Sequence, residues 1–143
     1  MTDWNDRLIA EFRGNEGRVG GPFEGSHLLL LHTRGAKSGE QRIAPMMYFA
    51  EPEGIFVIAS KAGAPENPAW YHNLVVHPEV HIEQATDDGI AEFDATAEPV
   101  EGELRDTLFA RFAARNPGFA GYQKKTDRII PVVRLHPVER TAG

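Results

Sequence analysis

Two stretches of this chain read as β-hairpins, and no strand–helix–strand unit repeats around them. The first joins QRIAPMMYFAE (Gln41 to Glu51) to GIFVIASK (Gly54 to Lys61) through a tight PEG turn. The second joins EVHIEQ (Glu79 to Gln84) to IAEFDATAEPV (Ile90 to Val100) around TDDG, and alternates apolar with polar residues. Strands joined so closely can only pair antiparallel, because parallel neighbours need a crossover of a dozen residues or more. SHLLLLHT (Ser26 to Thr33) adds a buried strand and IIPVVRLHP (Ile129 to Pro137) the last one. Pro45 marks an edge or a bulge, since it cannot donate to a ladder. The expectation is a mainly β chain of about six strands, closed or split into a small antiparallel barrel, with peripheral helices.

The helices have local signals. Trp4, Leu8, Ile9 and Phe12 fall on one face over Asp3 to Arg13, with Thr2 or Asp3 as cap. A glycine-dense connector runs from Gly14 to Gly25, so residues 1–25 read as helix plus connector ahead of the barrel in one domain spanning 1–143. NPAWYHNLVVH (Asn67 to His77) has Asn67 as N-cap, Pro68 in the first turn and Pro78 as its stop. Leu104, Leu108, Phe109 and Phe112 form a stripe over Glu101 to Asn116. PGFAGYQKKTDR reads as a loop with one helical turn.

Composition removes several kinds of chemistry. With no cysteine there is no disulfide framework, thiolate nucleophile or Cys-based zinc site, which suits a reducing cytoplasm. A net charge of −6 argues against a general nucleic-acid binder. The N-terminus is acidic and lacks the apolar core of a signal peptide, and no stretch approaches the roughly 20 apolar residues needed to span a bilayer. The histidines have no metal-binding spacing: Pro78 interrupts His77 and His81, and His72 and His77 are five apart. There is no G-x-S-x-G and no acid/base pair, so hydrolysis has little support.

Three motifs remain. RGAKSGEQR places Arg34, Lys37, Ser38 and Arg42 around two glycines, without P-loop spacing. Glycines let backbone N–H groups approach an anion, and the cations neutralise it. ASKAGAP repeats the theme with Ser60 and Lys61 at the end of another strand. PAWYHNL opens a helix whose N-terminus favours anions, with Trp70 as a wall for a flat ring and Asn73 as donor and acceptor. A cleft with positive turns, an aromatic wall and no evident catalytic side chain suits an organic cofactor that carries the chemistry itself.

LLLLHTRGAKSGEQRIAPMMYF, VIASKAGAPENPAWYHNLVVHPEV and NPGFAGYQKKTDRIIPVVRL, taken in order, resemble the deazaflavin-dependent nitroreductase family of actinobacteria. The resemblance runs from about Gly20 to Pro137. It implies a split β-barrel of the flavin-reductase and pyridoxamine-oxidase kind, and reduced coenzyme F420 as hydride donor to a quinone-like, nitro or other conjugated acceptor. Carried onto this chain, it implies that Ala36, Lys37, Ser38, Gly39 and Arg42 meet the phosphate and acidic tail. Ala59, Ser60 and Lys61 then approach from the neighbouring strand, and Pro68, Ala69, Trp70, Tyr71 and Asn73 line the ring.

The acceptor pocket falls to Asn116, Phe119 and Tyr122. Asn116 and Phe119 stand where the family has tyrosines, leaving Tyr122 as the phenol able to donate a proton. The N-terminal helix is suited to a membrane surface, a lid or a core contact; Asp3, Asp6 and Glu11 argue against an anionic bilayer. A flavin mononucleotide enzyme on the same barrel and a non-catalytic F420 carrier are the alternatives. The sequence leaves the acceptor's identity and the oligomeric state open, a dimer included.

Overall fold

In the computed structural model, residues 4–19, 27–52, 54–60, 66–126 and 128–138 are described. Seven strands form one antiparallel sheet in the order β2-β1-β5-β6-β7-β4-β3. They are β1 (Leu28–Arg34), β2 (Gln41–Met47), β3 (Phe49–Glu51), β4 (Gly54–Ile58), β5 (Glu79–Thr86), β6 (Gly89–Val100) and β7 (Val132–Pro137). The helices are α1 (Trp4–Gly14), α2 (Ala69–Val76), α3 (Gly102–Arg115) and α4 (Gly118–Lys124). The sheet curls into a half-barrel. It stays open between its end strands β2 and β3, so the closed form of the expected barrel is excluded.

Side-chain alternation divides the sheet into two faces. Leu29, Leu31, Val57, Val80, Ile82, Val133 and Leu135 point to one face, where Leu74 of α2 and the flanking Trp70 and Tyr71 pack on them. Leu28, Leu30 and Ala85 point the other way and meet Leu8 and Phe12 of α1. Phe56, Ile58 and Val132 share that opposite face and receive α3 and α4 through Leu108, Phe109, Phe112 and Phe119. The N-terminal helix therefore makes a core contact, on the sheet face opposite α2, and does not serve as a lid over α2. Trp4's side chain, expected on the same stripe, lies outside the described residues, as does the second half of the Gly14–Gly25 connector, residues 20–25.

Several boundaries differ from expectation. The strand expected over Gln41 to Glu51 breaks at Tyr48, whose hydroxyl donates to the Ala85 carbonyl at 2.5 Å. Its first half, carrying Pro45, is an edge strand, which is where proline is tolerated. Its second half is the short arm of the hairpin with β4. The expected loop after Asn116 is helix α4: Asn116 Oδ1 accepts from the Gly118 N–H at 3.3 Å, and buried Phe119 docks the helix.

The α3 stripe holds at Leu108, Phe109 and Phe112 and differs at its first position. Leu104 is 54% exposed, and Arg105 is buried in its place. The Arg105 guanidinium lies 4.4 Å over the Phe109 ring and donates to the Ile130 carbonyl at 2.7 Å. Its long apolar stem fills the core position while the charged head finds acceptors.

Candidate active site

Strands β1 and β2 pair as far as Arg34 opposite Gln41, and residues 35–40 close the turn between them. The Gly35 N–H donates to the Glu40 carbonyl at 2.8 Å, and the Gly39 N–H to the Gly35 carbonyl at 2.9 Å. The Glu40 N–H donates to Ser38 Oγ at 3.1 Å. Gly39 has φ +73°, and a Cβ on Gly35 would sit 2.5 Å from Ser38 Oγ. The left-handed backbone favours glycine at 39, and a side chain at 35 would push Ser38 Oγ from its place. It projects Lys37 and Ser38 into solvent at its tip, while Arg42 on β2 reaches Glu40 at 3.2 Å.

α2 forms the opposing wall. It starts at Ala69 behind Pro68, with no side-chain cap. Asn67, the expected N-cap, instead accepts from the Arg128 guanidinium at 2.6 Å. Asn73 is buried and joins the two walls. Its Oδ1 accepts from the Ala36 N–H at 3.0 Å, and its Nδ2 donates to Thr33 Oγ1 at 3.2 Å. A buried amide with both ends satisfied fixes the turn against the helix.

Between these walls lies a cavity of about 640 Å³, within the range of small-molecule sites. Ala36, Lys37, Ser38 and Arg42 line it from the turn and β2, and Ala69, Trp70 and Asn73 from α2. Gly35, one of the two glycines of the turn motif, lines it too, and sequence reasoning missed Thr33, Ile43, Ala44 and His72, which also line it. Helical spacing from Ala69 carried the signal for His72: positions i+3 and i+4 are His72 and Asn73.

The same spacing turns Tyr71 away from this cavity. Tyr71 lines another one with Val100 and Glu101, where burial and the Glu101 charge raise its phenol pKa. Pro68 is buried just before α2. Gly39 and Arg34 line a separate cavity of about 500 Å³ beside His32 and His81. Ala59 is buried with its N–H on the Pro131 carbonyl at 3.0 Å, and neither it nor Ser60 lines the 640 Å³ cavity. Lys61 lies outside the described residues.

None of Asn116, Phe119 and Tyr122 lines the 640 Å³ cavity either. Phe119 sits in the core beside Phe49, and Asn116 Nδ2 reaches Met47 Sδ at 3.9 Å. Tyr122 is half-buried, with the Lys125 ammonium 5.8 Å over its ring.

A polar network occupies the opposite sheet face. Arg13 of α1 grips Glu83 with Nε at 3.1 Å and Nη2 at 2.7 Å, and His32 Nε2 lies 2.6 Å from the same carboxylate. The Arg13 bond, more than that from His32, holds the Glu83 carboxyl below its usual pKa. His81 lies 2.8 Å from Asp94 and 3.3 Å from Glu92, and these carboxylates raise its pKa, Asp94 foremost. Among the described residues, no group of three or more His, Asp or Glu is arranged to hold a metal ion.

Comparison with known proteins gives the same direction as the cavity. A Mycobacterium tuberculosis protein named as an F420H(2)-dependent quinone reductase is 38% identical over 130 residues, covering 88% of this chain and 85% of that protein. The solved structure of an F420-H2 dependent reductase, FDR-A, is 38% identical with a TM-score of 0.65, covering 76% of this chain and 93% of that one. A second structure, described as a domain-swapped dimer, is 33% identical with a TM-score of 0.67, covering 91% and 96%. The family model for F420H(2)-dependent quinone reductase matches residues 5–137, and the chain belongs to that family.

Proposed function

We propose that this protein transfers hydride from reduced coenzyme F420 to a quinone-like acceptor, with nitro and other conjugated compounds as further acceptors. The observation that carries the reading is the single cavity joining Lys37, Ser38 and Arg42 to Trp70. Its donor set fits the cofactor's chemistry. The two cations and the hydroxyl suit a phosphate and an acidic tail, and Trp70 with Ile43, Ala44 and Ala69 suits a flat ring. When bound in reduced form, the deazaflavin supplies the hydride.

The chain's own residues hold and orient. Lys37 and Arg42 neutralise the tail, and Ser38 hydrogen-bonds it. Trp70 walls the ring, and the Asn73 bridge keeps the two walls at fixed separation, which favours transfer by limiting misplacement. Asn73 acts here as a brace more than as a ring contact. Ser60, just beyond the end of β4, is a further candidate to meet the anion, and Tyr122 is the candidate to hold a proton at its hydroxyl for the acceptor. Among the described residues no helix is long and apolar enough to cross a membrane. We place the reaction in the cytoplasm.

Fluorescence titration with F420, and with flavin mononucleotide in parallel, tests the reading, followed by menadione turnover with the reduced form of whichever binds. The expected result is F420 binding with turnover. Binding without turnover of any acceptor makes the protein a carrier, and binding of flavin mononucleotide alone reassigns the cofactor.

A further inference from the structure

Arg128 lies in the connection between α4 and β7 and does not line the cofactor cavity. Its guanidinium nevertheless ties the exit of β4 to the entry of α2, the helix that walls the site. Nη1 donates to the Ala59 carbonyl at 3.2 Å and to Asn67 Oδ1 at 2.6 Å, and Nη2 donates to the Ser60 carbonyl at 2.7 Å. Ala59 and Ser60 follow the end of β4, and Asn67 precedes Pro68, the capless entry of α2. One planar group thus holds both the exit of β4 and the entry of α2.

The anchor is itself braced. Gln123 Nε2 donates to the Arg128 carbonyl at 2.7 Å, while Gln123 Oε1 accepts from the Ile130 N–H at 3.0 Å and from Arg105 Nη2 at 2.9 Å. The Arg128 backbone is therefore tied to α4 and, through Arg105, to α3, while its guanidinium reaches the residue before the entry of α2. Only a flat fork meets separated acceptors at fixed angles in this way; an ammonium is a point charge on a flexible stem.

We propose that Arg128 is a positioning residue of the cofactor site: it sets the entry of α2, and through that helix the placement of Trp70 and Asn73. The identity of the ligand rests on the function proposed above; the placement of α2 does not.

The test uses Arg128→Lys and Arg128→Met in a Trp4→Phe background, where Trp70 is the one tryptophan left of two. Without ligand, both variants should show red-shifted Trp70 emission that acrylamide quenches more readily. With F420, the dissociation constant should rise about tenfold, as expected for losing charge-assisted bonds that orient a wall of the site. Added guanidinium ion should restore both signals in Arg128→Ala. A lower melting temperature in Arg128→Lys, with Trp70 quenching unchanged and F420 affinity within twofold, would overturn the proposal. If the parent protein fails to bind F420, the functional reading falls, while the ligand-free Trp70 signal still decides the role of Arg128.

Discussion

Lys37 stands exposed at the tip of the β1–β2 turn in a chain of net charge −6. Its attraction for an anionic ligand is local, so it is screened by salt more strongly than a buried contact. Lys37→Ala should weaken F420 binding roughly three- to tenfold at low ionic strength, and the gap should narrow as salt is added. Equal losses at low and high salt, measured by titration, would remove Lys37 from the anion site. At this scale the sequence is informative where the signal is local. Glycines and a proline mark the turn and the helix start, which singles out Lys37, Ser38 and Arg42 on one side and Trp70 and Asn73 on the other; that they line one cavity is a tertiary result. Tyr71 was misjudged because adjacent helical residues point to different sides. Arg128 left no signal, because its three acceptors lie 61, 68 and 69 residues away and two of them are backbone carbonyls.

Elements were legible where periodicity was clean. The second hairpin, α2 and α3 occur where alternation and spacing put them, with ends displaced by a residue or two, while the first hairpin keeps only its turn-proximal arm, Phe49–Glu51, against β4. The failures came where tertiary contacts overrode the local pattern. α4 is too rich in glycine to announce itself, and it holds because Phe119 docks among Phe49 and Phe112. The role of α1 could not be read from its own residues, since an amphipathic stripe fits a membrane, a lid or a core equally well. The partner face decides it: Leu28 and Leu30 alternate with Leu29 and Leu31 on β1, so a strand of four leucines needs apolar cover on both sides. Phe12 is fully buried in that cover. Phe12→Ala should cost about 3–5 kcal/mol of stability, in the range for emptying a buried phenylalanine site. F420 affinity in the folded fraction should stay unchanged, since α1 lies on the other face from α2. A specific loss of affinity without loss of stability would return α1 to the role of lid.

At the scale of the whole molecule, the curled sheet separates two kinds of work. One face carries α2 and the cofactor cavity at its β1–β2 end. The other carries the cover helices and a charged network joining α1, β1, β5 and β6. That network makes stability depend on pH in a direction set by its two shifted groups. Glu83 has its pKa lowered from 4.5, so its contribution is complete above 4.5 and disappears as pH falls through the folded value. His81 has its pKa raised from 6.5, so its contribution is complete below 6.5 and fades as pH rises through the folded value. Both contributions are present together between 4.5 and 6.5, and the melting temperature should be highest in that window. His81→Asn should flatten the alkaline decline and leave the acid one in place. Glu83→Gln should lower the melting temperature across the window, since Arg13 and His32 lose the carboxylate they share, and should flatten the acid decline. Calorimetric melting of the three proteins across this pH range checks both arms. An alkaline decline of the same slope in His81→Asn would show that other groups govern it, and that the His81–Asp94 pair contributes little to holding β5 against β6.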